Sequence, residues 1–119
     1  GGFVLVRDAE GVNLLSGGIE DWGGAVAVDT ETTGLNPERD RVRLVQVAFN
    51  GNVTLVDAFA LLEPASALAP LFEAMKAVEV VGHNLQFDLR FLAKLGFVPG
   101  RVFCTMLASQ VLHAGERDE

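Results

Sequence analysis

The sequence predicts an α/β fold in which one mixed β-sheet is flanked by helices on both faces. Three observations predict it: an uncharged strand-like stretch that ends in two acidic residues, an apolar hairpin pattern in mid-chain, and alternating helix-like and strand-like segments after it. Mixed sheets with helices on both faces produce this order of elements. The chain has 119 residues, of which half are apolar, so a single domain with a real hydrophobic core is expected.

Capping and turn residues set the boundaries of the predicted elements. Asp8 is expected to cap a helix that ends at Gly17-Gly18, and Asn50-Gly51 is the dipeptide favoured in two-residue hairpin turns. Pro70 fits best near the first turn of its helix. The predicted elements are a strand at 3–6, a helix at 8–15, a central strand from residue 25, a hairpin of strands at 42–49 and 53–56, a helix around 68–75, a strand at 78–81, a helix at 85–95, a strand at 101–103 and a helix at 105–112.

The central strand carries the first candidate site residues, Asp29 and Glu31. Alternate residues of a strand share a face, so both carboxylates point to the side that carries Ala25 and Ala27. Two adjacent carboxylates repel each other, and a hard divalent cation such as Mg²⁺ relieves that repulsion. The simpler alternative is a pair of acidic residues that face solvent where a strand ends.

The helix that begins near Asn84 supplies a third carboxylate. At about 100° per residue, Asp88 falls in the middle of the apolar arc, while Arg90 and Lys94 lie on the opposite side. A carboxylate that faces the core costs several kcal/mol unless it is paired or binds a metal. Metal ligation by Asp88 is therefore favoured over a core ion pair, and Asn84 lies one turn earlier on the same face. Asp29, Glu31 and Asp88 are expected to converge at one end of the sheet.

Charge and cysteine content limit the class of protein. The formal net charge is −7, which argues against simple duplex binding but less against a nuclease whose carboxylates are loaded with metal. The only cysteine is Cys104, so no internal disulfide or thiolate zinc cluster is expected, and a reducing cytoplasm is predicted. No apolar run reaches membrane-spanning length. Because the first residue is glycine, we expect the chain to be an excerpt of a longer protein.

Two motifs carry a resemblance to a known family. The segment Asp29-Thr30-Glu31-Thr32-Thr33-Gly34-Leu35 resembles the first motif of the DEDD 3′→5′ exonucleases, and Gly82-His83-Asn84-Leu85-Gln86-Phe87-Asp88 resembles the second. The segment 103–109 resembles the stretch that follows in proofreading domains of family A, DNA polymerase I-like, polymerases. Ribonuclease D is the next nearest branch, and the resemblance extends over 3–112.

The resemblance implies a ribonuclease-H-like fold and hydrolysis of phosphodiester bonds with two divalent ions, Mg²⁺ or Mn²⁺. It implies Asp29, Glu31 and Asp88 as catalytic metal ligands. The implied partners are the single-stranded 3′ end of DNA, or alternatively of RNA, and a polymerase domain in the same parent chain. No membrane partner is expected.

The resemblance also implies contacts with substrate. Thr32 and Leu35 match positions that hold the 3′-terminal nucleotide, and Asn84 and Phe87 match positions along the path of the single strand. For Leu35 and Phe87, plain packing in the protein core is an equally good interpretation.

The chain departs from the family pattern at the fourth carboxylate, which the family holds in a Tyr-x-x-x-Asp or His-x-x-x-x-Asp motif. The chain has no tyrosine. His113 and Asp118 have the second spacing, but they follow Asp88 too closely, with Gly115 in an expected helix. We therefore predict a domain, residues 1–119, that is truncated at its C-terminus and carries three of the four ligands, with weak or no activity by itself.

The chain also differs from the family pattern at Cys104, and two alternative functions stay open. Cys104 stands where the family commonly has aspartate, so Thr105 is expected to cap the last helix, and His83 is expected to be structural. One alternative function is a ribonuclease D-like RNA exonuclease. The other is a non-catalytic module that keeps the fold and serves as a scaffold or nucleic-acid clamp.

Overall fold

The structure, a computed structural model, describes residues 2–106. Within this range the chain forms six strands and three α-helices, and a 3₁₀ helix (Ala58–Ala60) follows the fourth strand directly. The strands are β1 (Phe3–Val6), β2 (Val26–Thr32), β3 (Val42–Phe49), β4 (Asn52–Asp57), β5 (Glu79–Gly82) and β6 (Arg101–Cys104). The helices are α1 (Ala9–Trp22), α2 (Pro64–Lys76) and α3 (Leu85–Lys94).

The strands form one mixed sheet in the order β1-β4-β3-β2-β5-β6. β2, β3 and β4 make an antiparallel meander, β5 and β6 run parallel to β2, and β1 runs parallel to β4. The predicted mixed α/β sheet is thereby confirmed. Because β2 and β5 are parallel, the loop after β2 and the start of α3 lie at the same edge of the sheet.

The hairpin between β3 and β4 has the predicted turn. Asn50 and Gly51 both have positive φ angles, 51° and 76°. A two-residue turn of this kind matches the right-handed twist of the flanking strands. Phe49 then pairs with Asn52, and the register continues without interruption to Leu44 and Asp57.

The first helix is longer than predicted. Asp8 caps it, since its carboxylate accepts the N–H of Gly11 at 2.9 Å. The prediction that Gly17-Gly18 ends the helix is wrong, because α1 continues to Trp22. Burial of Val12, Leu15 and Ile19 on one face offsets the cost of about 1 kcal/mol that each internal glycine carries relative to alanine.

The second helix begins earlier than predicted. Its first turn contains Pro64, so Pro70 lies in the helix interior, contrary to the expected first-turn position. Pro70 is exposed, while Leu68, Leu71, Phe72 and Met75 are buried at the predicted helical spacing. Packing of this apolar face maintains the helix across the missing backbone donor.

Of the predicted helix at 105–112, Thr105 and Met106 are helical and the rest lies outside the described residues.

The two faces of the sheet differ sharply. One face, which we call the closed face, lies under the helices and buries Val26, Val28, Val45 and Val47 completely or almost so. The other, which we call the open face, carries no helix within residues 2–106. A row of apolar side chains crosses all six strands of the open face: Phe3, Val53, Ala48, Ala27, Val81 and Phe103. Among the described residues the helices lie on the closed face alone, and most of the predicted helix at 105–112 lies outside those residues.

Candidate metal and substrate site

Asp29 and Glu31 lie on the open face of β2. Burial alternates along this strand, with Val26 and Val28 buried and Ala27, Asp29 and Glu31 exposed. This alternation confirms the prediction that the two carboxylates share the face of Ala27. Asp29 is opposite Gln46 of β3 and Glu31 is opposite Leu44.

Asp88 lies in the first turn of α3 and is 3% exposed. Its neighbours on the helix, Leu85, Phe91 and Leu92, are buried, as the predicted apolar arc requires. The ion pair resolved in the described part of the chain joins Arg7 to Asp57, and Asp88 has no cationic partner there. The core ion pair, which was the alternative to metal ligation, is therefore not how Asp88 is accommodated.

Thr30 is the residue that holds Asp88 in place. The Thr30 hydroxyl donates to Oδ1 of Asp88 at 2.5 Å, and the Thr30 backbone N–H donates to the same oxygen at 3.1 Å. Burial raises the pKa of Asp88, and the negative charge of Asp29 raises it further, while the two bonds from Thr30 lower it. The net effect is a pKa above the ordinary carboxyl value.

The carboxylates of Asp29 and Asp88 converge on one donor. The N–H of Thr30 lies 3.0 Å from Oδ1 of Asp29 and 3.1 Å from Oδ1 of Asp88. One carboxylate comes from the open face of β2 and the other approaches from α3 on the closed side. The site is therefore built where the two sides of the sheet meet, at the end of β2.

Glu31 is not brought into the same cluster. Among residues 2–106, no group of three or more His, Cys, Asp or Glu side chains is arranged to hold a metal ion. The structure thus realises the convergence of Asp29 and Asp88 but not the predicted three-way convergence. The donor chemistry of the pair still fits a hard divalent cation: two neighbouring carboxylates supply oxygen ligands, and one of them is buried with a raised pKa.

The predicted substrate contacts fall into outward-facing and packed residues. Leu35 is 83% exposed, so packing in the core is wrong for this side chain within the described structure. Asn84 is exposed at the start of α3 and makes no capping bond with its side chain. Phe87 is half-buried, with its ring centroid 5.0 Å from that of Phe91. The Thr32 hydroxyl donates to the carbonyl of Gly34 at 2.7 Å and shapes the turn after β2.

The loop after β2 is closed by Asp40. Its carboxylate accepts from the N–H of Asn36 at 3.0 Å and from the hydroxyl of Thr33 at 3.4 Å. A Cβ at Gly34 would lie 2.3 Å from that carboxylate, so only glycine permits this approach. The closed loop presents Leu35 to solvent.

His83, Cys104 and Thr105 join the ends of β5 and β6. The thiol of Cys104 donates to the carbonyl of His83 at 3.1 Å, and Nδ1 of His83 lies 3.1 Å from the Thr105 hydroxyl. These contacts are consistent with the structural role expected for His83. The Thr105 hydroxyl contacts Nδ1 of His83 and the carbonyl of Gly82. The backbone groups that it was expected to cap lie outside the described residues.

Thr30 is the site residue that the sequence did not reveal. Its side chain lies on the closed face with Val28, opposite Val45 and away from the side chains of Asp29 and Glu31. Asp88 reaches it there from α3. The available signal was a polar residue that interrupts an otherwise apolar strand face next to a buried acid.

Comparisons with known proteins identify the class. The sheet and its helices resemble Escherichia coli RNase D, described as an exoribonuclease involved in structured RNA processing, with a TM-score of 0.76 and 18% identity over 92% of this chain and 28% of the other. They also resemble Brucella melitensis NrnC with bound Mg²⁺, with a TM-score of 0.74 and 30% identity over 98% of this chain and 55% of the other. The fold is that of the ribonuclease-H-like exonucleases.

The sequence then specifies the family. Residues 6–117 match the 3′-5′ exonuclease family of family A DNA polymerases, and the chain belongs to that family. DNA polymerase I of Aquifex aeolicus is 39% identical over 85 residues, which are 71% of this chain and 13% of that protein. The chain therefore spans a small part of that polymerase and about half or less of the RNase D and NrnC chains. No helix within residues 2–106 is long and apolar enough to cross a membrane.

Proposed function

We propose that the parent protein of this chain removes nucleotides from single-stranded or frayed 3′ ends of DNA by metal-dependent hydrolysis, as a proofreading activity. The observation that carries the proposal is the convergence of Asp29 and Asp88 on the N–H of Thr30, at the edge of the sheet where β2 and β5 end. The similarity to a DNA polymerase I supports a polymerase domain in the same parent chain and DNA as substrate.

Each residue of the site has a proposed role. Asp29, Glu31 and Asp88 would hold two divalent ions, Mg²⁺ or Mn²⁺, and the bound Mg²⁺ of the Brucella protein supports that choice. When bound, such ions supply activation of the attacking water and stabilisation of the leaving 3′ oxygen. Thr30 orients the Asp88 carboxylate through its hydroxyl and its N–H. Glu31 completes the ligand set only if its side chain turns toward Asp29.

Four residues are proposed to position the substrate. Leu35, which projects into solvent, packs against the terminal base, and Thr32 shapes the loop that carries it. Asn84, whose side chain is not used as a helix cap, contacts the sugar-phosphate backbone. Phe87 lines the same path from its half-buried position on α3.

The test uses the full-length parent and a 5′-labelled single-stranded DNA oligonucleotide. The unmodified protein should shorten the oligonucleotide from its 3′ end with Mg²⁺ or Mn²⁺ and should stop in EDTA. Asp29→Asn and Asp88→Asn should each abolish shortening, while Asp21→Asn, on an exposed residue at the end of α1, should leave it unchanged. Undiminished hydrolysis by the Asp29→Asn variant would overturn the metal assignment.

A ribonuclease D-like RNA exonuclease is the second candidate, and the fold similarity to RNase D supports it. Matched DNA and RNA oligonucleotides of one sequence separate the two candidates. Faster shortening of DNA supports proofreading, and clear preference for RNA replaces it with the second candidate.

A non-catalytic module is the third candidate, favoured by the absence of a three-carboxylate cluster among residues 2–106. His113 and Asp118, the sequence candidates for the missing fourth ligand site, lie outside the described residues. We expect the 119-residue chain by itself to shorten DNA weakly or not at all. Robust metal-dependent shortening by this chain would contradict that expectation and would favour His113 and Asp118 as part of the site.

A further inference from the structure

The loop between β2 and β3 is closed twice by hydrogen bonds. At its ends, the N–H of Thr33 donates to the carbonyl of Arg41 at 2.9 Å, and the N–H of Arg41 donates to the Thr33 hydroxyl at 2.9 Å. Inside these ends, the N–H of Asp40 donates to the carbonyl of Asn36 at 2.7 Å. The inner closure brings the side chain of Asp40 back toward the first half of the loop.

The Asp40 carboxylate contacts the residues on both sides of Leu35. Its Oδ2 accepts the N–H of Asn36 at 3.0 Å, and a Cβ built on Gly34 would lie 2.3 Å from the same oxygen. Leu35 itself is 83% exposed, so packing contributes little to where its side chain lies. The position of Leu35 therefore depends on the backbone of its two neighbours, and Asp40 is the side chain that holds both of them.

Gly34 is required by this contact rather than by its backbone angles. Among residues 2–106 the glycines with positive φ are Gly23, Gly51 and Gly96, and Gly34 is not one of them. Its φ is therefore negative, which residues other than glycine adopt readily. The close approach of the Asp40 carboxylate is what excludes a side chain at this position.

We propose that Asp40 is a positioning residue of the exonuclease site, in an inference that rests on the proposed function and on the proposed contact of Leu35 with the terminal base. By fixing Gly34 and Asn36, the carboxylate holds Leu35 in place before the substrate arrives. Such preorganisation raises affinity because binding no longer has to order the loop. Asp40 thus acts on the affinity for the 3′-terminal nucleotide, through Leu35, rather than on metal binding.

The experiment compares kcat and KM for 3′ shortening of a single-stranded oligothymidylate by the full-length parent in saturating Mg²⁺. Asp40→Ala should raise KM about tenfold with little change in kcat, as loss of one base contact would. Asp40→Asn keeps an oxygen that can accept the N–H of Asn36, so it should restore most of the affinity. The matched control is Asp57→Ala, which removes a carboxylate that accepts the N–H groups of Phe59 and Ala60 in a different turn and should leave KM unchanged.

Leu35→Ala decides whether Asp40 acts through Leu35. This variant alone should also raise KM about tenfold. Adding Asp40→Ala should then raise KM no further, because residues that act through one contact are not additive. On an oligonucleotide whose 3′-terminal nucleotide lacks its base, Asp40→Ala and the unmodified parent should have the same KM. Multiplying losses in the double variant, or an Asp40→Ala effect that persists without the base, would overturn the proposal.

Gly34→Ala is a second route to the same defect. Its Cβ would displace the Asp40 carboxylate, so KM should rise as it does in Asp40→Ala. Once Asp40 is alanine, the displaced group is gone, and Gly34→Ala should cost nothing more. If the two changes together raised KM beyond either change alone, the contact between them would not position Leu35, and the proposal would fail.

Failure of this proposal can be told apart from failure of the exonuclease function. Absence of metal-dependent shortening by the unmodified parent would overturn the function and the proposal together. Shortening that is lost in Asp29→Asn but shows an unchanged KM in Asp40→Ala would overturn the positioning role alone. A lower melting temperature and a lower kcat in Asp40→Ala, with unchanged KM, would also overturn it and would assign Asp40 to the stability of the fold.

Discussion

The closed and open faces of the sheet are made by the same strands and have opposite environments. On the closed face, Val45 and Val47 are fully buried beneath the helices. On the open face, one row of side chains is apolar from Phe3 to Phe103, yet both of these end residues are about half exposed or more. Asp29 and Glu31 belong to the open face, whereas Thr30 and Asp88 meet on the closed side.

This difference shows how the protein builds a site from an ordinary strand. The closed face supplies rigidity, because its side chains are interlocked with three helices. The open face supplies access from solvent, since Asp29 and Glu31 are exposed there. Asp29 is held to the N–H of its neighbour Thr30, whose side chain anchors Asp88, so one residue connects the accessible carboxylate to the buried one.

Removing a carboxylate should have the largest effect. Asp88→Asn in the parent should lower the rate of 3′ shortening by more than the roughly 10–100-fold that loss of a supporting residue of a metal site typically costs. It should also abolish thermal stabilisation by Mn²⁺. Initial rates and melting curves with and without Mn²⁺ measure both, and Asp21→Asn is the matched control. Retained Mn²⁺ stabilisation would contradict the ligand role.

Loss of the connecting residue should have the next largest effect. Thr30→Val removes the hydroxyl that donates to Asp88 but keeps the N–H and the side-chain shape. We expect a loss of about 10–100-fold in rate and a weaker apparent affinity for Mg²⁺. Thr54→Val, on the same closed face, should leave both quantities unchanged. Equal behaviour of the two variants would show that Thr30 does not position Asp88.

A matched pair of leucines tests whether the closed face is buried and the open face is exposed to water. Leu71 of α2 is fully buried on the closed side, whereas Leu5 of β1 is 50% exposed on the open face. Leu71→Ala should lower the free energy of unfolding of the chain by about 2–5 kcal/mol. Leu5→Ala should cost less than about 1 kcal/mol, since much of its side chain is already in water. Urea denaturation gives both values, and equal losses would show that the open face is covered.

The pH dependence of stability should show the smallest effect. Burial raises the pKa of Asp88, so the folded state keeps its proton to higher pH than the unfolded state does. In EDTA, the free energy of unfolding should therefore fall as pH rises from the ordinary carboxyl range through the raised pKa. Asp88→Asn, which carries no charge, should flatten this dependence and stabilise the metal-free chain at neutral pH. Urea midpoints measured across this pH range check the prediction. If Asp88→Asn left the pH dependence of the free energy of unfolding unchanged, Asp88 would not be the group responsible for it.

The sequence predicted the elements whose signals are local. Asn50-Gly51 predicted the hairpin because a two-residue turn depends only on those φ angles. Asp88 was identified because a charge within an apolar helical arc must be buried once the helix packs. The ends of α1 and α2 were misplaced, since the glycine and proline signals at Gly17-Gly18 and Pro70 were overridden by burial of the apolar faces.

By itself, the sequence determined the family, the two motifs and the shared face of Asp29 and Glu31, since each depends on residue order and strand periodicity. Only the tertiary structure decided that Thr30 joins Asp29 to Asp88 and that Glu31 stands apart. These outcomes depend on the register between strands and on where α3 packs. Such contacts join residues far apart in the chain, and no local pattern encodes their distances.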